Sequence, residues 1–131
     1  MRAKKNELGF FEFSIKIQGP KMSRVLKGVV DTGSTFCACT YKVITCLRIR
    51  NVDFLPVAPI TGKSARRLIY EADIGFDGKA IKSEIARLAS LPVGSDFLLG
   101  LSVLDHCDWQ KTDSHLDVTW KDNSPAFIIK Q

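Results

Sequence analysis

Apolar and polar residues alternate most regularly near the start of the chain, where Phe11, Phe13, Ile15 and Ile17 interleave with Glu12, Ser14, Lys16 and Gln18. A period of two puts one set on a buried face and the other in water, which predicts a strand. Gly19-Pro20-Lys21 supplies turn chemistry, and Val25-Leu26-Lys27-Gly28-Val29-Val30 predicts a second strand, buried near its end. That strand runs straight into Asp31-Thr32-Gly33-Ser34. Between Tyr41 and Ile49 the apolar residues at 43, 44 and 47 suit a short helix or a strand equally. Pro56 and Pro59 mark irregular or edge backbone, since proline has no N–H for a ladder.

A second clear alternation runs through Leu68, Tyr70, Ala72, Ile74 and Phe76 and ends at Asp77-Gly78, a strong two-residue hairpin signal. The return strand carries Ile81, Ser83 and Ile85 on one side. Leu98-Leu99-Gly100 reads as a buried strand end, and Leu101, Val103, Leu104 and Cys107 predict two helical turns after it. Leu116, Val118 and Trp120 alternate, Asp122-Asn123-Ser124-Pro125 turns, and Phe127-Ile128-Ile129 closes the chain. Many short strands, turn signals between them and one helix near the end indicate an all-β barrel or sandwich. No internal repeat, low-complexity tract or linker interrupts it, so residues 1–131 read as a single domain.

Composition narrows the function classes. With 45% apolar and 25% charged residues, neither disorder nor a collagen-like fibre is expected. No apolar run approaches the ~20 residues of a spanning helix. Met1-Arg2-Ala3-Lys4-Lys5 is basic like the start of a signal peptide, but Asn6-Glu7-Leu8-Gly9 is not the apolar stretch that should follow. The expectation is a soluble, non-secreted, cytoplasmic protein with no membrane partner. The net charge of +5 is spread out, its densest groups being Lys4-Lys5 and Arg66-Arg67. Without a basic stripe interleaved with aromatics, no nucleic-acid partner is expected.

Cys37, Cys39, Cys46 and Cys107 have no export signal to make them disulfides. Cys37-x-Cys39 with Cys46, and His106-Cys107 beyond, hint at a small metal-binding domain. The spacing nonetheless lacks the paired two- to four-residue gaps of zinc knuckles, and buried free cysteine packs as a small apolar residue. We therefore assign no metal. Gly62-Lys63-Ser64 fails as a phosphate loop because Val57 stands where its first glycine belongs. His106 and His115 lack a Gly-x-Ser-x-Gly nucleophile elbow and read as surface or capping residues.

What remains is Asp31. A carboxylate directly after a buried strand is costly unless its charge is satisfied, and Thr32, Gly33 and Ser34 can make a tight loop that does so. An ordinary turn at a strand end would use the same letters. The wider pattern distinguishes the two. An amphipathic hairpin, Phe11–Val30, leads into Val29-Val30-Asp31-Thr32-Gly33-Ser34. Thr61-Gly62 follows in the middle, and Leu98-Leu99-Gly100 comes about seventy residues after Asp31, with a helix directly behind it. Over roughly residues 10–121 the chain resembles the retropepsin-like aspartic proteases, single-domain relatives of the retroviral enzyme.

The resemblance implies a retropepsin-type β-barrel that acts as a homodimer on peptide or protein substrates without metal or organic cofactor. Asp31 matches the catalytic aspartate. Thr32 matches the residue whose hydroxyl braces the two active-site loops, and Gly33 and Ser34 those that cradle the carboxylate. Thr61, Gly62 and Lys63 match the flap that closes over substrate, and Leu98, Leu99 and Gly100 the second loop and helix start. Two carboxylates sharing one proton can serve as base and acid, as in all aspartic proteases. Only one Asp-Thr-Gly is present, so two chains would each contribute one. The chain departs from the family at Leu101, where an Arg is frequent, at Ser102, where an Asp is frequent, and in a flap with one glycine beside Lys63. The other function expected of such a sequence is an inactive retropepsin-fold module for dimerisation or peptide binding.

Overall fold

A computed structural model of the chain describes residues 1–57, 65–91 and 94–129. In chain order its elements are β1 Arg2–Lys5, β2 Phe11–Gln18, β3 Ser23–Val30, β4 Cys37–Thr40, α1 Tyr41–Leu47, β5 Arg50–Val57 and β6 Ala65–Phe76. They continue with β7 Lys79–Leu88, β8 Phe97–Leu99, α2 Leu101–Leu104, β9 Cys107–Lys111, β10 His115–Trp120 and β11 Phe127–Ile128. The alternating segments are strands as their period requires. In β2 the residues Phe13, Ile15 and Ile17 are buried, and in β6 so are Tyr70, Ala72, Ile74 and Phe76. Asp77 (φ 50°) and Gly78 (φ 76°) both take the left-handed conformation that a tight turn between β6 and β7 demands.

The sheet closes on itself. Neighbours run β6-β7-β4-β8-β3-β2, and β2 pairs again with β6 through Lys16↔Gly75, Ile17↔Ile74 and Gln18↔Asp73, which makes a six-stranded barrel. Ile15, Ile17, Leu26, Ile74, Ile85, Phe97 and Leu99 pack in one cluster inside it. β1, β10 and β9 extend from β2 as a wing, and β5 lies outside β6. Pro56 therefore sits in a strand at the end of the sheet path, where a missing N–H is tolerated.

Four features differ from the sequence expectation or decide between its alternatives. The segment from Tyr41 is a helix, with Val43, Ile44 and Leu47 buried and Arg48 (φ 51°) ending it in a left-handed turn. α2 is one turn, not two: Cys107 leaves the helix to pair with Trp120 in β9, and a buried residue at a strand start satisfies the same spacing. The basic N-terminus is strand β1, whose Ala3 is wholly buried between the exposed Arg2 and Lys4. The core thus begins well before residue 10. β9 gave no alternation because Asp108, Trp109, Gln110 and Lys111 are all exposed.

Cys37, Cys39 and Cys107 are buried free thiols and Cys46 is exposed. Burial pushes the Cys39 and Cys107 thiols up to about 12 and raises Cys37 as well, so their reactive thiolates are scarce. A disulfide-exchange reagent at about pH 8 is expected to titrate one thiol per native chain, Cys46, and all four only after denaturation. Titration of two or more native thiols would contradict this packing.

Candidate active site

β3 and β4 flank β8 on opposite sides, parallel through Val29↔Leu98 and Val30↔Leu99, antiparallel through Ala38↔Leu98 and Cys39↔Phe97. The connection from Asp31 to Phe36 therefore passes around the end of β8. These strands are covered on both faces. Val30, Leu99 and Cys39 face the barrel core, while Val29, Leu98 and Ala38 pack with Leu91 in a second cluster. Burial on two sides explains why the sequence here shows paired apolar residues instead of alternation.

Asp31 emerges where that double burial stops. Its backbone N–H donates to the Leu99 carbonyl at 3.0 Å, adding one more rung beyond the β3–β8 ladder. The Gly33 N–H donates to Asp31 Oδ1 at 2.9 Å, and the Ser34 N–H to the Asp31 carbonyl at 3.2 Å. The Gly33 N–H directed at Oδ1 fixes the orientation of the carboxylate. Asp31, Thr32 and Gly33 are exposed, so the carboxylate lies on open surface.

The return arm of the loop is clamped by the segment after β8. Leu101 N–H donates to Ser34 O at 2.8 Å and Ser102 N–H to Thr35 O at 2.9 Å. Gly100 makes this approach possible. A Cβ there would overlap the Phe36 carbonyl oxygen and stand 2.8 Å from Ser34 O. The segment Leu98-Leu99-Gly100 thus lies against the Asp31 loop.

Ser34 is placed differently from expectation. Its hydroxyl donates to the Phe36 carbonyl at 2.7 Å, closing the loop's own backbone, and the carboxylate contact comes from Gly33 instead. Thr61, Gly62 and Lys63 lie outside the described residues, beyond the last described β5–β6 pair, Val57↔Ala65. Sequence reasoning also missed a partly buried polar cluster beneath the loop, formed by buried Cys37 and Ser83 and half-buried Ser102. Ser83 had left a signal, as a hydroxyl between Ile81 and Ile85 on an apolar face. Among the described residues no three His, Cys, Asp or Glu side chains gather as metal ligands, and no helix is long and apolar enough to cross a membrane.

Solved structures share this architecture. A retropepsin-like aspartic protease from Rickettsia conorii superposes with a TM-score of 0.63 at 19% identity, over 92% of this chain and 89% of that one. The EIAV protease in complex with an inhibitor gives 0.57 at 18% identity, over 76% and 89%. The simian foamy virus (mac) protease gives 0.54 at 18% identity, over 72% and 91%. No family model matches the sequence, and no curated protein shows significant similarity to it. The chain has the retropepsin-like fold.

Proposed function

We propose that this chain, as one domain spanning residues 1–131, is an aspartic endopeptidase that works as a homodimer, with Asp31 of each copy forming the catalytic pair. The observation that supports this reading best is the Asp31 carboxylate itself. It stands solvent-facing at the end of a doubly buried strand, oriented by the Gly33 N–H and backed by Gly100. A single carboxylate cannot be both base and acid in one step, and the sequence holds one Asp-Thr-Gly. Two copies facing across a two-fold axis would supply both.

In that arrangement one carboxylate takes a proton from water as its oxygen adds to the peptide carbonyl carbon. The other, protonated, gives its proton to the carbonyl oxygen. Collapse of the tetrahedral intermediate breaks the C–N bond as the first carboxylate returns its proton to the departing amine and the second takes one back from a hydroxyl of the intermediate, which restores the pair. Thr32 would brace the paired loops, Ser34 would hold its own loop closed, and Thr61, Gly62 and Lys63 would cover the substrate. Water is the nucleophile and no cofactor takes part.

Cleavage of a mixed peptide library, abolished by pepstatin and unaffected by chelators, tests the activity. The rate should follow a bell centred on acid to mildly acid pH, falling on the alkaline side as the shared proton is lost and on the acid side as both carboxylates are protonated. A rate rising steadily to about pH 9 would point to another mechanism.

The dimer has its own test. When native protein and Asp31→Asn are mixed in equal amounts with free subunit exchange, about one quarter of dimers carry two native chains. Activity per native chain should then fall to about half, and in a mixing series total activity should follow the square of the native fraction. Activity strictly proportional to native chain, with exchange demonstrated, would mean a complete site in each monomer.

A further inference from the structure

Ser102 lies two residues beyond Gly100, Ser83 in the middle of β7, and Cys37 at the start of β4. Ser102 Oγ stands 3.0 Å from Ser83 Oγ and 3.4 Å from Cys37 Sγ, and it accepts the Cys37 N–H at 3.3 Å. The Gly100 N–H donates to Cys37 Sγ at 3.4 Å, and the Ser83 hydroxyl also reaches the Glu84 carbonyl at 3.1 Å. Cys37 is fully buried and Ser83 only 5% exposed, in a barrel otherwise filled with apolar side chains. Both hydroxyl protons can be satisfied at once: Ser102 donates to Ser83 Oγ while Ser83 donates to Glu84 O. The arrangement joins three segments that are distant in sequence at the point where the Asp31 loop re-enters the barrel.

We propose that Ser102, backed by Ser83 and Cys37, is a positioning residue for Asp31, a half-buried lock that holds the loop's return arm against residues 100–102. This rests on the protease reading given above. The backbone bonds from Leu101 and Ser102 hold residues 34 and 35, and the Ser102 side chain holds residue 37, so the loop is fixed at three points along its return. Without the hydroxyl the Cys37 N–H loses the acceptor that Ser102 supplies, a loss that a local opening of the loop would relieve. The open loop no longer presents its carboxylate at one place, and misplacement by about 1 Å can cost about 100-fold in rate.

Ser102→Ala is expected to lower kcat by about 10- to 100-fold with KM within about threefold. The pH bell should narrow, because two loosely held carboxylates share a proton less tightly. Ser102→Thr, which keeps the hydroxyl, should restore both. Amide hydrogen exchange gives a readout independent of activity. In Ser102→Ala the Asp31, Leu101 and Ser102 amides should exchange at least about tenfold faster, while Ile15 and Ile74 in the barrel keep their protection.

Cleavage by the native protein and its inhibition by pepstatin decide the protease reading separately. If native protein does not cleave, that reading fails and exchange still decides whether the lock holds the loop. Native-like kcat, bell and exchange in Ser102→Ala would overturn the proposal, as would faster exchange at Ile15 and Ile74 equal to that at the loop. Should Ser102→Ala not fold, Ser83→Ala, which removes only the second member, takes its place with the same readouts and a smaller expected loss.

Discussion

Asp31→Asn is expected to lose peptidase activity by at least about 10⁴-fold, since it removes base and acid together and each contributes about 10²–10⁴-fold. The substitution is nearly isosteric. Its side-chain oxygen can still accept the Gly33 N–H, so the loop retains the bond that orients it. What the amide cannot do is exchange a proton with water or with a carbonyl oxygen at accessible pH. Because Asp31 is exposed, stability should change by no more than about 0.5 kcal/mol. The measurements are kcat/KM on a cleaved peptide and a thermal melt of the same preparation. Retained cleavage by purified variant would remove Asp31 from the mechanism, whereas a lost melt would mean that the residue supports the fold.

Gly100→Ala should be strongly damaging for a single added methyl group. Gly100 has an ordinary φ of −104°, so backbone conformation is not what requires glycine there. Space is: the added Cβ would overlap the Phe36 carbonyl oxygen and lie 2.6 Å from its carbon. Both neighbours are backbone, which cannot swing aside as a side chain would. Relief would come only by parting the loop from residues 100–102, which breaks the Leu101–Ser34 and Ser102–Thr35 bonds. A cost of about 3 kcal/mol follows, at the upper end for overpacking, or ~10 °C in Tm for a chain of this size. Activity should fall further than stability, since the displaced loop carries Asp31. Gly78→Ala is the contrast. It meets nothing within 4 Å and loses only the ease of φ +76°, about 1 kcal/mol. Equal melting temperatures for the two variants would refute the close-approach argument.

The strands whose faces alternate were readable without the fold. In β2, β6, β7 and β10 a residue's side of the sheet follows from its parity, and parity is written in the order of side chains. The Asp77-Gly78 turn was legible for the same local reason, as was Asp31 at the end of an apolar strand. Segments whose environment is not periodic were harder. β9 exposes four of its five residues, and β1 hides only Ala3 among cations, so neither carries a pattern above background. The choice of helix for 41–47 and the stop of α2 after one turn depend on what each packs against, because short apolar spacings satisfy both periods.

Sequence by itself determined which residues of the alternating strands are buried, where the Asp77-Gly78 turn falls, and that one acid stands at the end of an apolar strand. Tertiary structure alone decided that β2 closes the barrel on β6, and that β8 slips between β3 and β4 so that Gly100 backs Asp31. It also decided that Ser83, Ser102 and Cys37 meet beneath the loop. The physical reason is one of range. Burial and turn geometry are properties of neighbours in the chain, whereas these contacts join residues 19 to 69 positions apart, and only the packing of the whole barrel selects them.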